Sequence, residues 1–183
     1  MDESEDKKAQ DAIQWYVMRA YKSEGLAERL LTQEGVAYFI PKWYVVRVYH
    51  GRKSRRLVPV IPSLLFVRSD RNTLVEFKKR YNFLQFITQS IEGVQTCLTV
   101  PEKQMEDFIR VSERREQEVS YYTPAELNLE RGSRVRIIGG PFDGVEGIFI
   151  KIRGSRNRRL VVEIPDTLLA AVEIEPDLVE LID

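Results

Sequence analysis

The chain has 183 residues, enough for one large domain or two small ones, with 43% hydrophobic and 31% charged residues. Its 28 basic residues balance 28 acidic ones, so whole-chain charge gives no support for a general nucleic-acid coat. A single cysteine, Cys97, excludes an internal disulfide, and no apolar run approaches the ~20 residues that span a bilayer.

The charged start Met1-Asp2-Glu3-Ser4-Glu5-Asp6-Lys7-Lys8 lacks the apolar core of a secretory signal, so the cytoplasm is the expected compartment, without membrane contact. Residues 1–12 read as a frayed polar tail. Trp15–Tyr21 is aromatic and β-branched and predicts a strand. Ser23 fits a helix N-cap, Glu24 suits the first turn, and Leu26, Ala27, Leu30 and Leu31 form a helical stripe. Gly35 is placed to end that helix. Tyr38–Ile40 predicts a short strand stopped by Pro41. Tyr44–Tyr49 and Arg55–Val60 flank the polar tip His50–Ser54 and predict a hairpin. Ile61-Pro62-Ser63 breaks the chain, and Leu64–Val67 reads as a central buried strand.

Asp70 or Asn72 can cap a second helix carrying Leu74, Phe77 and Tyr81. Phe83–Thr88 is the next strand, and Pro101 opens a third helix with Met105, Phe108 and Ile109 on one face. The segment 117–130 reads as a linker, which makes 13–116 one α+β domain: helices on a mostly antiparallel sheet. Beyond the linker, five short runs (Arg134–Ile138, Val145–Lys151, Leu160–Ile164, Leu169–Ile174 and Leu178–Ile182) are punctuated by Gly and Pro turns. They predict a small five-stranded β-barrel over 131–183.

Charge is clustered. Pro41–Ser69 holds no acid but contains Arg52, Lys53, Arg55 and Arg56, which on their own read as a solvated turn. A second acid-free stretch holds Lys151, Arg153, Arg156, Arg158 and Arg159. It reads as a polar inter-strand loop, with RNA or an acidic partner as the alternative. No catalytic or metal centre is expected. His50 and Cys97 are the only residues of their types, too few for a zinc site, and no Gly-rich phosphate loop is present. Glu173 and Glu175 share a strand face, as chance alone would give in so acidic a segment. No enzyme and no cofactor are predicted.

Arg131–Gly147, with Gly140, Pro141, Phe142 and Gly147 at its turn and re-entry points, resembles a KOW motif. Trp15-Tyr16-Val17, Phe39-Ile40-Pro41, Val60–Val67 and Gln85-Phe86-Ile87 resemble, in that order, the N-terminal (NGN) domain of the NusG family. The blocks run from Trp15 to the C-terminus.

The resemblance implies an NGN-type α/β sandwich followed by a KOW barrel, acting as a monomer in transcription elongation or antitermination. An apolar depression would dock on the clamp helices of the largest RNA polymerase subunit. By position it comprises Val17, Ile61, Leu64, Phe66 and Phe86, joined by Tyr16. Strand alternation requires some of these to point inward. Arg52, Lys53, Arg55 and Arg56 become candidates for sequence-independent phosphate contacts to upstream or non-template DNA. The KOW domain would recruit a ribosomal protein or the Rho terminator. Two departures, Ser63-Leu64 for the usual Gly-Tyr and Pro165–Leu168 for a bulky apolar pair, look more like the operon-specific RfaH-like and UpxY-like paralogues, which serve operons such as those for polysaccharides. The alternatives are a KOW-type RNA-binding protein of the translation machinery and an adaptor that binds only proteins.

Overall fold

A computed structural model describes residues 12–21, 23–114 and 119–182. The expected tail, over 1–11, and the start of the expected linker, 117–118, lie outside the described residues. The chain forms two compact units, one ending at Pro101 and one beginning at Glu102.

The first unit runs β1 (Gln14–Ala20), α1 (Glu24–Gln33), β2 (Ala37–Phe39), β3 (Lys42–Tyr49), β4 (Arg52–Pro59), β5 (Leu64–Ser69), α2 (Arg71–Arg80), β6 (Leu84–Phe86), β7 (Thr88–Ile91), β8 (Val94–Cys97) and β9 (Thr99–Val100). Its main sheet has the order β2-β5-β1-β6, with β9 also on β1, and every pairing in it is antiparallel. β5 is flanked on both sides, as its continuous apolar run requires. β3–β4 and β7–β8 are separate two-stranded hairpins. The second was not apparent from the sequence, because Thr88–Cys97 mixes polar and apolar residues.

Both helices cover one face of this sheet. Ala27 and Leu31 of α1, with Leu74 and Phe77 of α2, pack with Tyr16, Met18, Ala20, Leu65, Val67 and Leu84 in one buried cluster. Asp70, rather than Asn72, caps α2: its Oδ1 accepts the Thr73 N–H at 2.8 Å. Ser23 stands at the start of α1 but makes no side-chain cap. Its φ of −144° and ψ of 35° depart from the extended geometry that aims an N-cap oxygen at the first turn. Gly35 ends α1 at φ 68°, and the Val36 N–H closes back on the Leu31 carbonyl at 2.9 Å.

The second unit holds α3 (Glu102–Ser112), β10 (Ser120–Tyr122), β11 (Ser133–Ile137), β12 (Glu146–Ile150), β13 (Arg159–Ile164), β14 (Leu168–Glu173) and β15 (Val179–Leu181). The strands form one antiparallel sheet in the order β10-β14-β13-β12-β11-β15. The five predicted strands are present, a sixth is added, and no ladder joins β10 to β15 among the described residues. The sixth, β10, lies in the stretch read as linker, where three residues before Pro124 are too few to show a period. α3 packs on β13 and β14, although its sequence position suggested the first domain. An amphipathic helix does not state which sheet receives it; α3 buries Met105, Phe108 and Val111 and adds polar contacts. Asp107, the buried charged residue of the unit, pairs with Lys103 at 2.6 Å and accepts the Glu146 N–H at 3.1 Å. Lys103 also donates to the Gly144 carbonyl, and Gln104 to that of Glu163.

Candidate functional site

The ladder of β1 with β5 opposes Tyr16 to Val67, Val17 to Phe66 and Arg19 to Leu64. Alternation therefore divides the six docking candidates. Tyr16 lies on the helix-covered face, and its ring meets Phe86 edge-on with centroids 5.5 Å apart. Lys78 of α2 stands over the same Phe86 ring, its Nζ 4.9 Å from the centroid. Burial pushes the Tyr16 hydroxyl above its usual range, and Cys97 adds to the rise. Tyr16 is thus a core residue, and half-buried Phe86 packs against the same cluster, so the set read from sequence divides between two faces. Val17, Leu64 and Phe66 share the opposite face. Val17 and Phe66 expose nothing, Leu64 is 4% exposed, and Ile61 in the preceding turn is half-buried.

That turn is held by the backbone. Ser63 has φ 67°, a left-handed conformation costing a non-glycine residue about 1–2 kcal/mol. Its N–H donates to Oε1 of Glu24 at 2.5 Å, and its carbonyl accepts the Ala20 N–H at 2.8 Å. A charge-assisted bond of this kind offsets much of the strain. Serine therefore occupies the site where the resembled pattern has glycine, without loss of the turn.

β3 and β4 pair over their full length, from Lys42 opposite Pro59 to Tyr49 opposite Arg52. The tip is tighter than expected: His50 (φ 46°) and Gly51 (φ 74°) alone make the turn. Registered pairs share a face, so the four basic candidates divide. Arg52 and Arg56 lie with Arg47, Trp43 and Tyr49. Lys53 and Arg55 lie with Tyr44, Val46 and Val48, and the Arg55 guanidinium sits 4.0 Å from the Tyr44 ring centroid. Trp43 is 45% and Tyr49 75% exposed. Among the described residues no carboxylate pairs with any of these cations. The first face thus joins three unneutralised arginines to two exposed aromatic rings, a combination suited to phosphate contact and base stacking. Arg47 was not among the predicted site residues; the two-residue strand period, once the register is known, brings it in.

In the second unit Gly139 and Gly140 take φ 78° and 68° and lead into a single 3-10 turn over Gly140–Phe142, with the Phe142 ring buried. Arg110 donates to the Asp143 and Pro141 carbonyls and ties this turn to α3. At Gly147 a Cβ would lie 2.5 Å from the Val161 carbonyl oxygen, so only glycine lets β12 come this close to β13. A groove of about 590 Å³ opens beside the turn, lined by Ile137, Pro141, Phe142, Ile174, Pro176 and Leu178 among others. The described residues include no cluster of metal-ligating side chains, and none of their helices is long and apolar enough to cross a membrane.

A solved structure described as "Domain interaction in Thermotoga maritima NusG" matches with 22% identity over 94% of this chain and 98% of that one, at a TM-score of 0.45. No curated protein matches. The family model NusG, described as "Transcription termination factor nusG", matches residues 13–109, more than half of the chain. That stretch contains the whole first unit from β1 to β9 and most of α3. The chain belongs to the NusG family of transcription factors.

Proposed function

We propose that this chain is a cytoplasmic, non-catalytic transcription elongation and antitermination factor that binds RNA polymerase through its first unit. The carrying observation is the family match over 13–109, which covers the sheet bearing the candidate docking face. On this reading the face opposite α1 and α2 meets the clamp helices of the polymerase's largest subunit. Ile61 is its accessible member, and Leu64, Phe66 and Val17 shape it from beneath. The β3–β4 hairpin contacts the phosphates of upstream or non-template DNA through Arg47, Arg52 and Arg56. The second unit acts as a KOW module that recruits a further protein.

We also assign the chain to the operon-specific side of the family, of the RfaH or UpxY kind, serving operons such as those for polysaccharides. Ser63-Leu64 replaces an aromatic anchor, and Pro165–Leu168 stands where a partner-binding apolar pair would be, with Leu168 buried as the first residue of β14.

Co-purification of the full chain with core RNA polymerase from its own organism tests the reading. The wild-type chain is expected to bind. Ile61→Arg should weaken binding at least about tenfold, equivalent to ~1.4 kcal/mol, with an unchanged thermal melt. Leu64→Ala serves as a milder second variant on the same face. A wild-type chain that fails to bind polymerase at low salt overturns the proposal.

A further inference from the structure

Between β12 and β13 the chain runs Lys151-Ile152-Arg153-Gly154-Ser155-Arg156-Asn157-Arg158-Arg159, without an acidic residue. The segment is a pinned bend. Ile152 is buried in a cluster with Ile150 and Val161. Gly154 takes φ 83°, and the Ser155 N–H donates to the Ile152 carbonyl at 3.0 Å. Lys151 Nζ donates to the Arg156 carbonyl, and Ser155 Oγ to that of Asn157 at 2.5 Å. Asn157 Nδ2 donates to Glu173 on β14. Arg159 is half-buried and donates to Ser120 Oγ at 2.7 Å, which makes it part of the scaffold.

Three cations remain. Arg153, Arg156 and Arg158 are exposed, and among the described residues no carboxylate pairs with any of them. Glu173, the carboxylate tied to this bend, is engaged by Asn157. A solvated loop does not need so many internal bonds. Fixing the backbone that carries three guanidinium groups lowers the ordering cost of binding an anion.

We propose that this bend is a second nucleic-acid site, in which Arg153, Arg156 and Arg158 grip the phosphate backbone. It lies in a different unit from the β3–β4 hairpin and does not depend on the polymerase-binding reading. Arginine's planar fork suits phosphate, and a flexible strand supplies anions at every nucleotide, so three donors within six residues can all be met. An acidic protein would have to place carboxylates at matching fixed points.

The test uses the full chain with a labelled short RNA strand, the DNA strand of the same sequence, and a duplex. Anisotropy is measured from about 50 to 200 mM salt. Wild type is compared with Arg153→Ala/Arg156→Ala/Arg158→Ala, alone and combined with Arg47→Ala/Arg52→Ala/Arg56→Ala in the hairpin. Three lost phosphate contacts should flatten the log–log salt slope by about 2 units and weaken binding at least about tenfold at low salt. The loss should appear in either hairpin background. The triple Arg→Lys variant should keep most of the slope, separating charge from folding. Tighter binding of RNA would name a transcript as the source, and equal binding of both strands the backbone chemistry alone; either keeps the site. Unchanged slope and affinity on removing the three arginines overturns the proposal. So does one-for-one displacement of RNA by polyglutamate of equal charge, which would assign the bend to an acidic protein.

Discussion

β5 and the β3–β4 hairpin are built from similar residues and end in opposite environments. Leu64, Leu65, Phe66 and Val67 are all buried, while Trp43, Tyr44, Val46, Val48 and Tyr49 are exposed. β5 has a strand on either side and two helices on one face. β3 has only β4. Apolar and β-branched residues therefore fix the first sheet through burial. In the hairpin the ladder and surface contacts such as Arg55 over the Tyr44 ring hold them, and a two-stranded ribbon is marginal by itself.

Three variants sharpen this contrast. The largest effect is expected at Phe77, 2% exposed in the helix-covered cluster: Phe77→Ala should cost about 3–5 kcal/mol in denaturant unfolding. A loss below about 1 kcal/mol would mean that the cluster is not the stabilising centre. Next is Asp70→Ala, which removes the cap of α2 and should cost about 1 kcal/mol. Hydrogen bonds from Thr73 hold the Asp70 carboxyl below its usual range. The cap therefore contributes fully above the unfolded carboxyl pKa of about 3.9 and loses its contribution as pH falls through the lower folded value. Wild type and Asp70→Ala should converge in stability under acid; a constant gap down to the lowest pH would contradict the cap. The smallest effect is expected from Val46→Thr with Val48→Thr, within about 0.5 kcal/mol of wild type. A larger loss would show the hairpin to be part of the folding core.

The sequence was legible where burial and turn chemistry act locally. β1, β5, α2 and the described strands of the second unit other than β10 follow from apolar runs and from Gly or Pro punctuation. The position of β5 inside the sheet follows from its unbroken apolar run. What was not legible depends on register and on docking. The period-two rule states that neighbours diverge, but only the observed pairing shows that Tyr16 and Phe86 lie on the helix-covered face while Val17 and Phe66 lie on the other. Arg47 joins Arg52 and Arg56 for the same reason. The seat of α3 on the sheet of the second unit draws on contacts as distant in sequence as the Glu146 backbone N–H on β12 donating to Asp107, which no local pattern couples.

The β3–β4 ribbon also has two outer edges, and among the described residues neither is paired with another strand. Such edges template strand addition between copies, and the cations along both strands are a common safeguard. That safeguard is electrostatic: the reach of charge repulsion shrinks from about 10 Å at 0.1 M salt to about 3 Å at 1 M. Concentrated salt thus leaves exposed Val46, Val48 and Tyr49 with weaker protection against ribbon-to-ribbon stacking. Self-association in strong brine is therefore expected to begin at these sixteen strand residues.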